Sequence, residues 1–127
     1  MSEVSAVLFA IDHAKVARFY REAIGLIYTA GNDDHSVLSR GGFELTVHQI
    51  PKHHLDESNA DGAPARRGNG RIRLDFLVDS VEAARSAAAK FGGQVDDVPP
   101  GWAPKDANFY LGHDPEGNVF KLSERGR

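Results

Sequence analysis

A chain of 127 residues has room for one compact core and too little for two ordinary domains. With 41% hydrophobic and 26% charged residues it is composed like a globular protein, and a net charge of −3 lacks the cationic excess that neutralising nucleic-acid phosphates demands. The absence of cysteine excludes disulfide scaffolds, thiolate zinc sites, iron–sulfur clusters and cysteine nucleophiles, so any metal would need His, Asp or Glu ligands.

The opening stretch MSEVSAVLFAIDHAKV has neither the basic leader nor the small-residue cleavage site of a signal peptide. No window reaches the roughly 18 apolar residues that span a bilayer. The expectation is a cytoplasmic protein with no membrane or nucleic-acid partner. Ser5 to Ala10 is an apolar run too short for a buried helix and suited to a strand. Asp12 then offers a carboxylate to the open donors of a helix start, and Val16, Phe19, Tyr20 and Ile24 recur at helical spacing until Gly25. The segments LIYTAGN, HSVLSR and FELTVHQI follow as strands, separated by Asn32-Asp33-Asp34 and by Gly41-Gly42, which are turn chemistry.

Pro51 to Gly70 is polar, carries Pro51 and Pro64, and shows no periodic apolar face, so it reads as a linker or loop. From Arg71 the order begins again. RIRLDFLV predicts a strand, Asp79 or Ser80 caps the helix VEAARSAAAKF, Gly92-Gly93 ends it, and GQVDDV, ANFYLGH and NVFKLSE predict three more strands. Strand, cap, helix and glycine recur in register, and a half-length βαβββ unit cannot cover both faces of its own sheet. The expected architecture is α+β: two βαβββ modules, residues 1–50 and 71–127 joined by 51–70, in a single domain of 1–127 with a curved mixed sheet around a cavity.

If each helix packs on one face of its sheet, alternate side chains of every strand face the concave side. Ala6, Leu8 and Ala10 then face the helix, leaving Ser5, Val7 and Phe9 for the cavity. Phe43, Leu45 and Val47 send Glu44, Thr46 and His48 inward. Ile72, Leu74, Phe76 and Val78 send Arg73, Asp75 and Leu77 inward, and Phe120 and Leu122 do the same for Val119, Lys121 and Ser123. Trp102 is presented by the stiffened loop PPGWAP. The ligand-binding candidates are therefore Phe9, Glu44, His48, Arg73, Asp75, Trp102, Tyr110 and Lys121, with Arg73–Asp75 and Lys121–Glu44 as compensating pairs. Of the six histidines only His48 falls on an inward face; His53 and His54 read as solvated loop residues, and the hairpin HDPEGN reads as a turn and not a site.

Three stretches carry a resemblance to a known family: Asp12 followed by ARFYREAIGL, then DSVEAARSAAAKFGG, then HDPEGNVFKL. They resemble the vicinal oxygen chelate superfamily of glyoxalases, extradiol dioxygenases and bleomycin-resistance proteins. The resemblance implies a homodimer in which modules of two chains face each other. It also implies metal-ligand positions in the first and last strands of each module. These fall here on Ser5 and Thr46, with Glu44 and His48 as register alternatives, and on Arg73 (Ile72 if Asp79 is the cap) and Lys121. Hydroxyls and cations are poor ligands for a divalent ion. The expectation is a metal-independent binder of a small molecule, an antibiotic or a metabolite, with no cofactor. The alternative is a metal-dependent lyase or dioxygenase with a relocated ligand set such as Glu44 and His48, or an isomerase that uses Glu44 or His48 as general base.

Overall fold

The computed structural model describes residues 2–51, 66 and 72–126. Most of the linker reading, His53, His54 and Arg71 lie outside the described residues. The first strand, β1, is Val4–Ala10. The Asp12 side chain caps helix α1, His13–Phe19, by accepting from the Lys15 N–H, as its sequence position predicts. The helix then widens into a π-helical turn over Tyr20–Ile24, which alternation and spacing did not foretell, and Gly25 closes it at φ 90°. Strands β2 (Ile27–Gly31), β3 (His35–Arg40) and β4 (Phe43–Gln49) complete the module. Gly41 and Gly42 both adopt positive φ between Arg40 and Phe43, the two-residue primed turn that matches the twist of an antiparallel hairpin.

The second module repeats the order. It runs β5 (Leu74–Val78), α2 (Val81–Lys90) capped by Ser80, β6 (Gln94–Val95), β7 (Phe109–His113) and β8 (Val119–Glu124). The expected strand RIRLDFLV starts three residues late, and Ile72, expected on the helix side, is 87% exposed. The parallel partner β8 begins at Val119, after the Asp114–Gly117 turn, and its pairing with β5 starts at Leu74 opposite Phe120, so Ile72 lies ahead of the ladder. The candidate strand GQVDDV shrinks to two paired residues.

Each module keeps its own four-stranded mixed sheet, ordered β1-β4-β3-β2 and β5-β8-β7-β6, with β1 parallel to β4 and β5 parallel to β8. The repeat extends to side-chain chemistry. At the end of β4 the Gln49 Oε1 accepts from the His13 N–H, and at the end of β8 the Glu124 Oε1 accepts from the Val81 N–H, so each final strand caps its own module's helix. Both sheets turn their apolar faces to one core. Phe19 lies 5.9 Å from Phe120, and Tyr20 lies 5.9 Å from Phe76. Polar clamps tie the modules together: the Tyr20 hydroxyl donates to Asp114 at 2.8 Å, the Glu116 carboxylate accepts from the Ile11 and Asp12 N–H groups, and Arg40 donates to the Leu77 carbonyl at 2.7 Å.

Candidate functional site

Because the apolar faces meet in the shared core, the opposite faces of both sheets open outward. On the first sheet alternation places Ser5, Val7 and Phe9 beside Glu44, Thr46 and His48, as the sequence pattern predicts. Phe9 sits opposite His48, with ring centroids 5.8 Å apart. His35 joins them, a residue the sequence reading left beside a turn. It pairs directly with His48 across the hairpin, and the two rings stack at 6.1 Å and 10°. The signal was present, since His35 and His48 are equidistant from the Gly41-Gly42 turn. The His48 Nδ1 lies 2.9 Å from the Gln49 carbonyl, which can only accept, so Nδ1–H donates, and in the neutral ring Nε2 is the acceptor.

The second open face carries Asp75, Leu77, Lys121, Ser123, Phe109 and Leu111. The Lys121 Nζ is 3.3 Å from an Asp75 carboxylate oxygen and 4.6 Å from the centre of the Phe109 ring. Trp102, 68% exposed, lies 5.7 Å from Phe109 and extends this aromatic surface. Arg73 stands just before β5, where it lines a cleft of about 600 Å³ with Ser5, Val7 and Val119. That cleft runs between β1 and β5, and Lys121 is not in its wall.

Three expectations need correction. The candidate residues do not share one concavity within a chain: Phe9, Glu44 and His48 belong to one open face, and Asp75, Trp102 and Lys121 belong to the other. Lys121 pairs with Asp75, its register partner on the adjacent strand, and not with Glu44. Tyr110 faces the helix side, opposite the buried Leu122 and under the Arg85 guanidinium at 5.0 Å, so it lines neither open face. Elsewhere His13 is buried and structural, with ring nitrogens 3.2 Å from the Ser36 hydroxyl and 2.8 Å from the Asp33 carbonyl. Asp114, in the hairpin read as a turn, is fully buried and accepts from the Tyr20 hydroxyl, two backbone N–H groups and the Asn118 amide. It is the buried hub of that hairpin.

Ser5, Thr46, Arg73 and Lys121 occupy the positions where a divalent ion is expected by resemblance, and this donor set does not fit one. Two hydroxyls contribute no anionic or imidazole ligand, and two cations repel the ion. Among the described residues no cluster of three or more His, Asp and Glu side chains is placed to hold a metal, and no helix is long and apolar enough to cross a membrane.

A family model described as a glyoxalase-like domain matches residues 5–123. No curated protein matches the chain. Solved structures match across nearly its whole length. A glyoxalase/bleomycin resistance protein from Albidiferax ferrireducens is 21% identical at a TM-score of 0.65, covering 97% of this chain and 98% of its own. The genomically encoded fosfomycin resistance protein FosX from Listeria monocytogenes is 11% identical at 0.64, covering 96% and 89%. The bleomycin-binding protein from Streptomyces verticillus, solved with copper(II)-bleomycin, is 18% identical at 0.58, covering 97% and 95%. At these identities the likeness establishes the fold.

Proposed function

The chain belongs to the glyoxalase-like family, within the vicinal oxygen chelate superfamily, and from that premise we propose that it is a metal-independent small-molecule-binding protein whose guest is an antibiotic or a metabolite. The observation that carries this reading is the donor set at the superfamily's ligand positions, Ser5, Thr46, Arg73 and Lys121, which replaces metal ligands with hydroxyls and cations. The open faces supply what recognition needs, exposed aromatic rings beside a few placed charges. Such a protein works by holding its guest and needs no reacting group.

The same proposal includes a homodimer in the cytoplasm. Phe9 and Val7 on one open face and Leu77 and Trp102 on the other are large apolar groups left in water by a single chain. Among the described residues β1 and β5 each end their sheet with an unpaired backbone edge. A second copy that sets the first open face against the second would cover both and enclose a cavity lined by Glu44, His48, Asp75 and Lys121 together. Elemental analysis of protein purified without chelator, run beside equilibrium dialysis against cationic antibiotics and aromatic metabolites, tests the reading. The expected result is no stoichiometric Fe, Mn, Ni or Zn and at least one saturable guest; a full metal complement, or no guest across the panel, overturns it.

A second reading rests on His48. With Nδ1 donated to a backbone carbonyl, its Nε2 is set as a proton acceptor toward the open face, the arrangement of a general base in an isomerase or lyase. Turnover of a bound guest that is lost in His48→Gln would favour it.

A further inference from the structure

The second open face holds a combination that specifies a guest. Trp102, two-thirds exposed, adjoins Phe109, with ring centroids 5.7 Å apart and 40° between the planes. At their border two opposite charges stand side by side, the Lys121 ammonium and the Asp75 carboxylate at 3.3 Å, with side chains 34% and 56% exposed. Lys121 is held over the Phe109 ring at 4.6 Å, so its position is set by the platform as well as by its ion partner. An ion pair this open to water contributes little by itself, and both partners keep hydrogen-bonding capacity for a third group.

We propose that this face recognises zwitterionic aromatic molecules of the α-amino-acid type, the ring lying on Trp102 beside the Lys121-covered Phe109, the carboxylate on Lys121 and the ammonium on Asp75. The inference rests on the binding function proposed above and names the class of guest. A head group with both charges a few ångströms apart matches the Lys121–Asp75 pair in reverse order, so each charge gains a partner and none is stripped of one. An aromatic acid without the amine leaves Asp75 facing a carboxylate across the site, and an aromatic amine without the acid sets an ammonium beside Lys121. Both mismatches are repulsive, so the pair selects against the singly charged analogues.

Trp102 is the only tryptophan in the chain, which makes its emission a reporter for this face alone. Three probes with one ring test the proposal: 4-nitrophenylalanine, 3-(4-nitrophenyl)propionate and 2-(4-nitrophenyl)ethylamine, each of which quenches tryptophan on contact. Titrations are followed by Trp102 emission and by calorimetry on the full chain. The amino acid should quench and bind at least tenfold more tightly than either analogue. Lys121→Met should reduce its affinity to that of the amine, and Asp75→Asn to that of the acid, with thermal unfolding unchanged in both. Equal affinity for all three probes, or calorimetric binding without quenching, overturns the assignment while leaving a binding function intact. Trp102 emission that responds to none of the three probes overturns it too. The binding function itself stands or falls on the separate dialysis panel.

Discussion

Asp96 shows how a single carboxylate ties Arg66 to the end of β6. The Arg66 guanidinium grips it in two parallel hydrogen bonds of 2.8 Å each, and the Gln94 amide adds a third at 3.0 Å. Partial burial alone would raise its pKa, but the hydrogen bonds from Arg66 and Gln94, with the charges of Arg66 and His113, outweigh it and hold the group below the usual 3.8. A lowered folded-state pKa means that the stabilisation is present above about pH 3.8 and is lost as pH falls through the folded value. In a carbon-detected NMR titration the Asp96 midpoint should therefore lie below 3.8 in the wild type and move upward in Arg66→Ala. The stability difference between the two proteins should close as the solution is acidified. Tyr20 is the opposite case. Burial first, then the Asp114 charge and hydrogen bond, push its phenol well above the usual 10.0, so it stays neutral and donates to Asp114 across the module boundary.

At the scale of elements, the joins are tighter than the strands they connect. Gly93 follows α2 in a conformation any residue can adopt, yet a Cβ there would run into the Phe19 ring and the His113 carbonyl oxygen. Helix α1 of the first module and β7 of the second close in on that backbone, and neither the ring, packed on Tyr20 and Phe120, nor the carbonyl can move freely. Gly101 has nothing within 4 Å of the same position. Gly93→Ala should cost about 1–3 kcal/mol, toward the upper end because one colliding atom is backbone, and Gly101→Ala should stay within about 0.5 kcal/mol. Urea midpoints at unchanged slope measure both. The glycine pair after α2 was legible in the sequence as a helix stop; that its second member serves close packing was not, because the obstructing atoms come from Phe19 and His113.

For the whole molecule, the α1 face decides the outcome. Helix α1 packs on β3 and β4, Phe19 and Tyr20 meet Phe120 and Phe76 of the second sheet, and Phe43 meets Phe76, so the helical layer and the two apolar sheet faces form one core and the polar alternates of both sheets are turned to solvent. A chain built this way leaves Phe9 60% exposed. Phe9→Glu should leave the thermal unfolding of the single chain nearly unchanged, because the side chain loses little burial. In light scattering at micromolar concentration the wild type should run at twice 13.8 kDa and the variant at 13.8 kDa. A wild-type species of 13.8 kDa contradicts the dimer.

The sequence by itself determined the local grammar: the Asp12 cap and a second cap at Asp79 or Ser80, which the structure resolves to Ser80, the Gly25 stop, the Gly41-Gly42 turn, and the facing of β1, β4, β5 and β8, where apolar and polar residues alternate cleanly. Caps, turns and a period of two act over a few residues, so they can be read without knowing what packs where. In β7 the pattern was silent, since Phe109 and Leu111 on one face and Tyr110 and Gly112 on the other are both compatible with burial; only pairing with β8 sent Tyr110 inward. The tertiary structure alone decided that Lys121 neutralises Asp75, that His35 stacks on His48, and that the two candidate faces open outward from a common core. Those outcomes depend on strand register and on aromatic contacts between Tyr20 and Phe76 or Phe19 and Phe120, residues far apart along the chain. Periodicity tells which side of a strand is apolar, and only packing tells what that side meets.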